Sequence, residues 1–190
     1  MRAPGGIGAP LAARQYSRGV AAIRLERLSH AHLAGLSALV DDPDVRRFTR
    51  IPEPPPAGFT ERWLESYEQG RRDGTREAFA ILDEGDGRFL GFAAAVRIEP
   101  EAQTAELGYM VAAPARGRGV ASAALRELSD WAFRELGALR LELLIGVDNV
   151  GSRRVAERAG FVLEGTLRSL QLKPGVRGDM EIWSRLASDA

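Results

Sequence analysis

The chain has no cysteine, which removes disulfide frameworks, thiolate zinc sites and cysteine nucleophiles, and suits a reducing compartment such as the cytoplasm. Histidine is nearly absent too. His30 and His32 are the two present, and at a spacing of two on an expected helix their side chains point apart, so they read as ordinary polar residues and no metal site is expected. No apolar run approaches the roughly 20 residues of a membrane-spanning helix, so a membrane is not an expected partner. An excess of one charge is also missing. With 26 basic and 26 acidic residues, no general affinity for nucleic acid follows, although arginine far outnumbers lysine and leaves room for a local basic site.

The 190 residues suit one domain that buries its own core. Gly5, Gly6, Gly8, Pro4 and Pro10 interrupt the opening stretch, which lacks a continuous apolar segment. Residues 1–19 therefore read as a flexible leader and not a secretory signal, with the domain over residues 20–187.

Apolar periodicity orders the rest. Residues 21–28 alternate as a half-buried strand, and Ser29 is placed to cap a helix through Leu33, Leu36 and Val40. Asp41, Asp42 and Pro43 stop it; a short amphipathic piece at 45–48, a stiff proline loop and a helix at about 60–70 follow. Strands at 79–82 and 89–98 flank the turn residues 84–87, and a third is expected at 104–111. A long helix over about 119–136 leads to a strand at 139–145, which must run parallel to its predecessor because a helix crosses between them. Two last strands are expected at 161–163 and 180–186, around the turn residues Lys173, Pro174 and Gly175. Phe48, Trp63, Tyr109 and Trp183 read first as core and second as walls of an acceptor pocket.

The most informative stretch follows the third of these strands. Past Pro114 the chain enters the loop Arg116, Gly117, Arg118, Gly119, Val120, Ala121 and then a helix. Two glycines permit a sharp turn and a close backbone approach to an anion, the first-turn N–H groups and the dipole face that anion, and the arginines can add charge-assisted bonds. Alone, such a loop is equally a tight turn with solvated arginines. Further on, Asn149 is placed to cap a second helix that Gly160 closes.

Together these segments resemble the GNAT superfamily of N-acetyltransferases. Arg116-x-x-Gly119-x-Ala121 is similar to its Gln/Arg-x-x-Gly-x-Gly/Ala acyl-CoA pyrophosphate loop, and the spacing of Asn149, Ser152 and Gly160-Phe161 resembles the branch of ribosomal-protein alanine N-acetyltransferases (RimJ/RimL-like). The resemblance spans about residues 20–187. It implies an α/β fold: a mixed, mostly antiparallel sheet with a splayed parallel pair at its centre and helices on both faces. It also implies a cytoplasmic enzyme that takes acetyl-CoA as co-substrate and moves the acetyl group to a primary amine by direct attack. The amine belongs to a small molecule or to a protein N-terminus, and a second copy of the chain is an admissible partner.

Carried onto this sequence, the resemblance places the pantetheine arm along Met110, Val111 and Ala112, the pyrophosphate on residues 116–121, and Asn149 against the pantetheine as well as at the helix cap. Ser152 matches the general acid of that branch, the other reading being a polar residue in a first helical turn. The branch's glutamate, some ten residues beyond the Gly-Phe pair, falls here near Gln171, which cannot take a proton. Glu106, on the same strand face as Gly108 and Met110, is the substitute base, or else a solvated carboxylate; Glu164 and Glu181 are further candidates. A weakly equipped base favours an amine of low pKa, since an α-amine near ~7.7–8.0 is far more often neutral than a lysine amine near ~10.4.

Three other readings stay open. Gly117-x-Gly119-x-x-Ser122 with Asp148 approaches a dinucleotide fingerprint, although a proline separates it from its strand and too little chain follows. The substituted glutamate leaves room for an acyl-CoA sensor without catalysis. An Arg-Gly loop could also touch RNA, against which the balanced charge argues.

Overall fold

The structure, a computed structural model, describes residues 22–189. The expected leader and its boundary with the domain both lie outside these residues. Strand β1 (Ile23–Arg27) leads through a turn at His30–His32 to α1 (Leu33–Asp41), α2 (Pro43–Phe48) and α3 (Phe59–Asp73). Then come β2 (Glu77–Asp83), β3 (Phe89–Glu99), β4 (Thr104–Val111), α4 (Val120–Glu135), β5 (Arg140–Gly146), α5 (Val150–Arg158), β6 (Val162–Lys173) and β7 (Val176–Leu186). Among the described residues no helix is long and apolar enough to cross a membrane.

One seven-stranded sheet runs in the order β1-β2-β3-β4-β5-β7-β6. All neighbours are antiparallel except β4 and β5. The alternation of β4 explains why both faces are covered. Leu107, Tyr109 and Val111 turn toward α4 and α5 with Leu125, Leu128, Trp131 and Leu141, whereas Met110 faces α1 and α3 with Leu36, Leu64, Tyr67 and Phe92. Leu36, Leu64, Leu128 and Leu141 are fully buried, each contributing roughly 1.5–3 kcal/mol of transfer free energy.

Ser29 behaves as its type predicts, but in a shorter element: its N–H bonds His32 Nδ1 at 3.2 Å, and the chain makes a 3-10 turn before α1. His32 is buried there, while His30 is exposed beside Glu68 at 3.7 Å. Asp42 caps α2 through the N–H groups of Asp44 and Val45 at 2.9 and 3.4 Å.

The pairing of β4 with β5 is brief. Thr104, Glu106 and the residue between them face residues 140–142, and there the ladder stops. Beyond it β4 stays bonded to β3 up to Val111, and β5 stays bonded to β7 up to Gly146. The two strands are each held on their outer side and part on their inner side. Gly91 lets β3 hold β4 closely at this point, since a Cβ there would lie 2.3 Å from the Met110 carbonyl oxygen.

The last hairpin departs from expectation. Instead of short strands at 161–163 and 180–186, β6 and β7 run on to the Lys173–Val176 turn as a long arm. Three register shifts in β6 and a positive φ of 53° at Ser169 break the two-residue period that the sequence reading relied on. As an edge strand exposed on both sides over much of its length, β6 had no buried face to impose alternation.

Candidate active site

The parted strands open onto a cavity of about 810 Å³ that passes through the sheet. One end is bounded by Arg116, Gly117, Gly119 and the first turns of α4 and α5; the other is bounded by α2, the segment after it, α3 and the tip of β6.

At the first end, Gly117 and Gly119 have φ of 74° and 80°, the left-handed region that a side chain disfavours. A Cβ on Gly117 would meet no other atom within 4 Å, so the loop's outer surface is open. No side chain caps α4. Its first bond is Ala123 N–H to Gly119 O at 3.0 Å, which leaves the N–H groups of Val120, Ala121 and Ser122 without helical partners at the cavity wall. Arg116 takes a different part from the one its type suggests. Its guanidinium bonds Asp42 at 2.5 Å, Asp44 at 3.0 Å and the Val111 carbonyl at 3.1 Å, and so fastens the loop to α2. Arg118 is exposed and does not line the cavity.

Along β4 the two-residue alternation of amides selects one member of the expected edge. Ala112 N–H donates to Leu90 O at 2.9 Å, toward β3. The amides of Ala112 and Met110 thus turn to β3, and the main-chain groups of Val111 turn to the gap. Met110 and Val111 line the cavity, whereas Ala112 does not.

From the opposite wall α5 starts at the cavity. Asn149 accepts the Ser152 N–H at 3.1 Å and caps the helix. Ser152 lines the cavity with Tyr109. The Tyr109 hydroxyl is buried and has no hydrogen-bond partner of normal geometry, although the neighbouring Ser152 side chain acts on it. Burial pushes this hydroxyl up to about 12, an effect that Ser152 partly offsets.

At the far end lie Phe59, Trp63, Tyr67 and Phe92. Trp63 and Phe92 have ring centroids 5.0 Å apart, and Tyr67 meets Phe92 edge-on at 5.5 Å. Phe48, Trp63 and Tyr109 therefore do line the cavity, as the second reading of these aromatics had it, whereas Trp183 is core and donates to Glu181 at 3.0 Å. Lys173 Nζ donates to Arg46 O at 2.9 Å, which ties the tip of the β6–β7 arm to α2 and roofs this end.

Glu106 is the one of the three candidate glutamates on the cavity. Its buried carboxylate lies 2.9 Å from Arg50 and 3.6 Å from Arg97, and Gln171 lines the same end. Glu164 instead pairs with Arg140 of β5 and Ser184 of β7, and Glu181 pairs with Arg153 at 3.1 Å.

Sequence reasoning passed over several lining residues. Arg154 and Arg158 project from α5 at the loop end, with an i, i+4 spacing that could have signalled a shared face. Arg50 and Arg76 line the aromatic end, where the irregular backbone before α3 and after it offered no periodicity to read.

A model of the acetyltransferase (GNAT) domain matches residues 22–162, most of the chain. The chain belongs to the GNAT acetyltransferase family. The sequence is 35% identical over 101 residues to the putative ribosomal N-acetyltransferase YdaF of Bacillus subtilis, covering 53% of the chain and 55% of that relative. It is 32% identical over 127 residues to the probable N-acetyltransferase YjcK of the same organism, covering 66% and 70%. The chain thus spans only about half the length of the first relative. The fold is that of RimL, a ribosomal L7/L12 α-N-protein acetyltransferase solved with coenzyme A, at a TM-score of 0.79 and 22% identity over 88% of this chain and 96% of that one. The dinucleotide-binding alternative falls with the sheet order, because a single parallel pair in an otherwise antiparallel sheet cannot form a doubly wound fold.

Proposed function

We propose that this acetyltransferase moves the acetyl group of acetyl-CoA to a primary amine by direct attack, with donor and acceptor entering the split sheet from opposite faces. The observation that carries this reading is the unpaired stretch of β4 and β5 opening onto an uncapped helix start. The residues present suit the co-substrate. Val120, Ala121 and Ser122 offer N–H groups to a pyrophosphate, Gly117 and Gly119 keep side chains out of its way, and Arg154 and Arg158 add positive charge nearby. Arg116 holds the loop in place and leaves the anion to the main chain.

Acetyl-CoA supplies a thioester whose carbonyl carbon the amine attacks and whose sulfur departs. The Val111 N–H, free of β3, is placed to stabilise charge on the carbonyl oxygen. Ser152 gives a proton to the departing sulfur, and Tyr109 acts as a positioning residue that orients the Ser152 hydroxyl. Glu106 takes the proton that the amine loses, directly or through water. Asn149 fixes the start of α5 and with it Ser152.

An acceptor of low pKa suits this equipment best, hence an α-amine, free or at a protein N-terminus. Calorimetry with coenzyme A and thiol-release assays against an amine panel test the reading: micromolar binding and amine-dependent thiol release are expected. Absence of either refutes it.

A further inference from the structure

We infer that the acceptor is a zwitterion: a primary amine with a carboxylate a few bonds from the nitrogen and an apolar body. This deepens the acyl-transfer reading above and rests on it. The acceptor end combines an aromatic wall with Glu106, Arg50 and Arg76. Glu106 is shared by Arg50 at 2.9 Å and Arg97 at 3.6 Å, while Arg97 also reaches Glu99 at 3.1 Å and Glu142 at 3.8 Å. Arg76 has no hydrogen-bond or ion-pair partner for its guanidinium among the described residues. The side chain is exposed, and its stem packs closely on Gly70, where a Cβ would lie 2.7 Å from the Arg76 Cβ. Arg76, Arg50 and Glu106 all line the cavity with Tyr67, and all three charges act on the buried Tyr67 hydroxyl.

This arrangement selects by charge. The other carboxylate on the cavity, Asp44, is already paired with Arg116 at 3.0 Å, so a polyamine would meet more cations than anions. A neutral amine would leave the exposed Arg76 guanidinium to water and gain nothing from it. An amine bearing a carboxylate places its nitrogen at Glu106 and its anion at Arg76 and Arg50, where a guanidinium matches it. The carboxylate is that of a free amino acid or that of an acidic side chain next to a protein N-terminus.

The test compares kcat/KM for phenylalanine, phenylalanine amide, C-terminally amidated Phe-Glu and Phe-Ala, and spermidine at saturating acetyl-CoA. Phenylalanine should exceed its amide by roughly ten- to hundredfold, the range of one or two charge-assisted bonds, with the margin narrowing as salt rises. A preference for Phe-Glu over Phe-Ala of that size would assign the anion to a peptide and support the inference equally. Arg76→Gln should cut the acid-to-amide ratio about tenfold, and Arg76→Lys should restore part of it. Equal rates for acid and amide, a preference for spermidine, or a ratio untouched by Arg76→Gln would overturn it. If no amine is acetylated, the transfer reading fails, and binding to the coenzyme A complex decides this one separately. Tighter binding of the acid that Arg76→Gln abolishes would support it, and equal binding of acid and amide would overturn it.

Discussion

Replacing Tyr109 by Phe removes one oxygen from a buried place where it finds no partner of normal geometry. A buried hydroxyl left unsatisfied costs about 1–3 kcal/mol, and the partial influence of Ser152 puts the lower part of that range in force, about 1–2 kcal/mol. The Phe variant without ligand should therefore be more stable than the parent, by roughly 2–8 °C in Tm for a chain of this size. Alkaline pH should widen the gap. The folded-state value of about 12 lies above the ordinary ~10, so the parent's stability is intact below pH ~10 and falls as pH rises toward 12, a loss the variant does not share. If Tyr109 positions Ser152, kcat should fall about tenfold with little change in KM for acetyl-CoA. Denaturation of the ligand-free proteins, with steady-state kinetics, reads both. A merely structural tyrosine would lower activity and stability together. A drop in Tm on Tyr109→Phe would refute the reasoning, because the hydroxyl would then be satisfied in the ligand-free protein.

Gly119→Val forces a β-branched residue to a φ of 80° at the wall of the proposed pyrophosphate site, and coenzyme A binding by calorimetry should weaken tenfold or more. Ser152→Ala and Glu106→Gln should each lower kcat by about a hundred- to ten-thousandfold with acetyl-CoA affinity nearly unchanged; parental rates would reduce Ser152 to a helix-start residue and move the base elsewhere. Glu164 is held by Arg140 and Ser184, which push its carboxyl down to about 2. The stability this contributes is present above the ordinary carboxylate range and is lost as pH falls toward 2. With the side chain 40% exposed, screening keeps it under ~1 kcal/mol, so Tm curves of the parent and Glu164→Gln should converge between pH 5 and 2.

Local chemistry determined much of this protein in advance. The extent of β4, the glycine turn into α4 and the Asn149 cap of α5 follow from side-chain alternation, left-handed glycines and a short acceptor side chain, all of which act within a few residues. The crossing helix likewise fixed β4 and β5 as parallel. Whatever depended on distant partners was not legible. Arg116 was assigned to an anion because its type and position allow that, whereas Asp42 and Asp44, more than 70 residues away in sequence, claim it. The long β6–β7 arm escaped notice because an edge strand with bulges has no buried face to enforce a period. The acceptor end is the extreme case: Arg50 precedes α3, Arg76 follows it and Glu106 lies on β4, and only the folding of the sheet against α3 brings them around one aromatic wall.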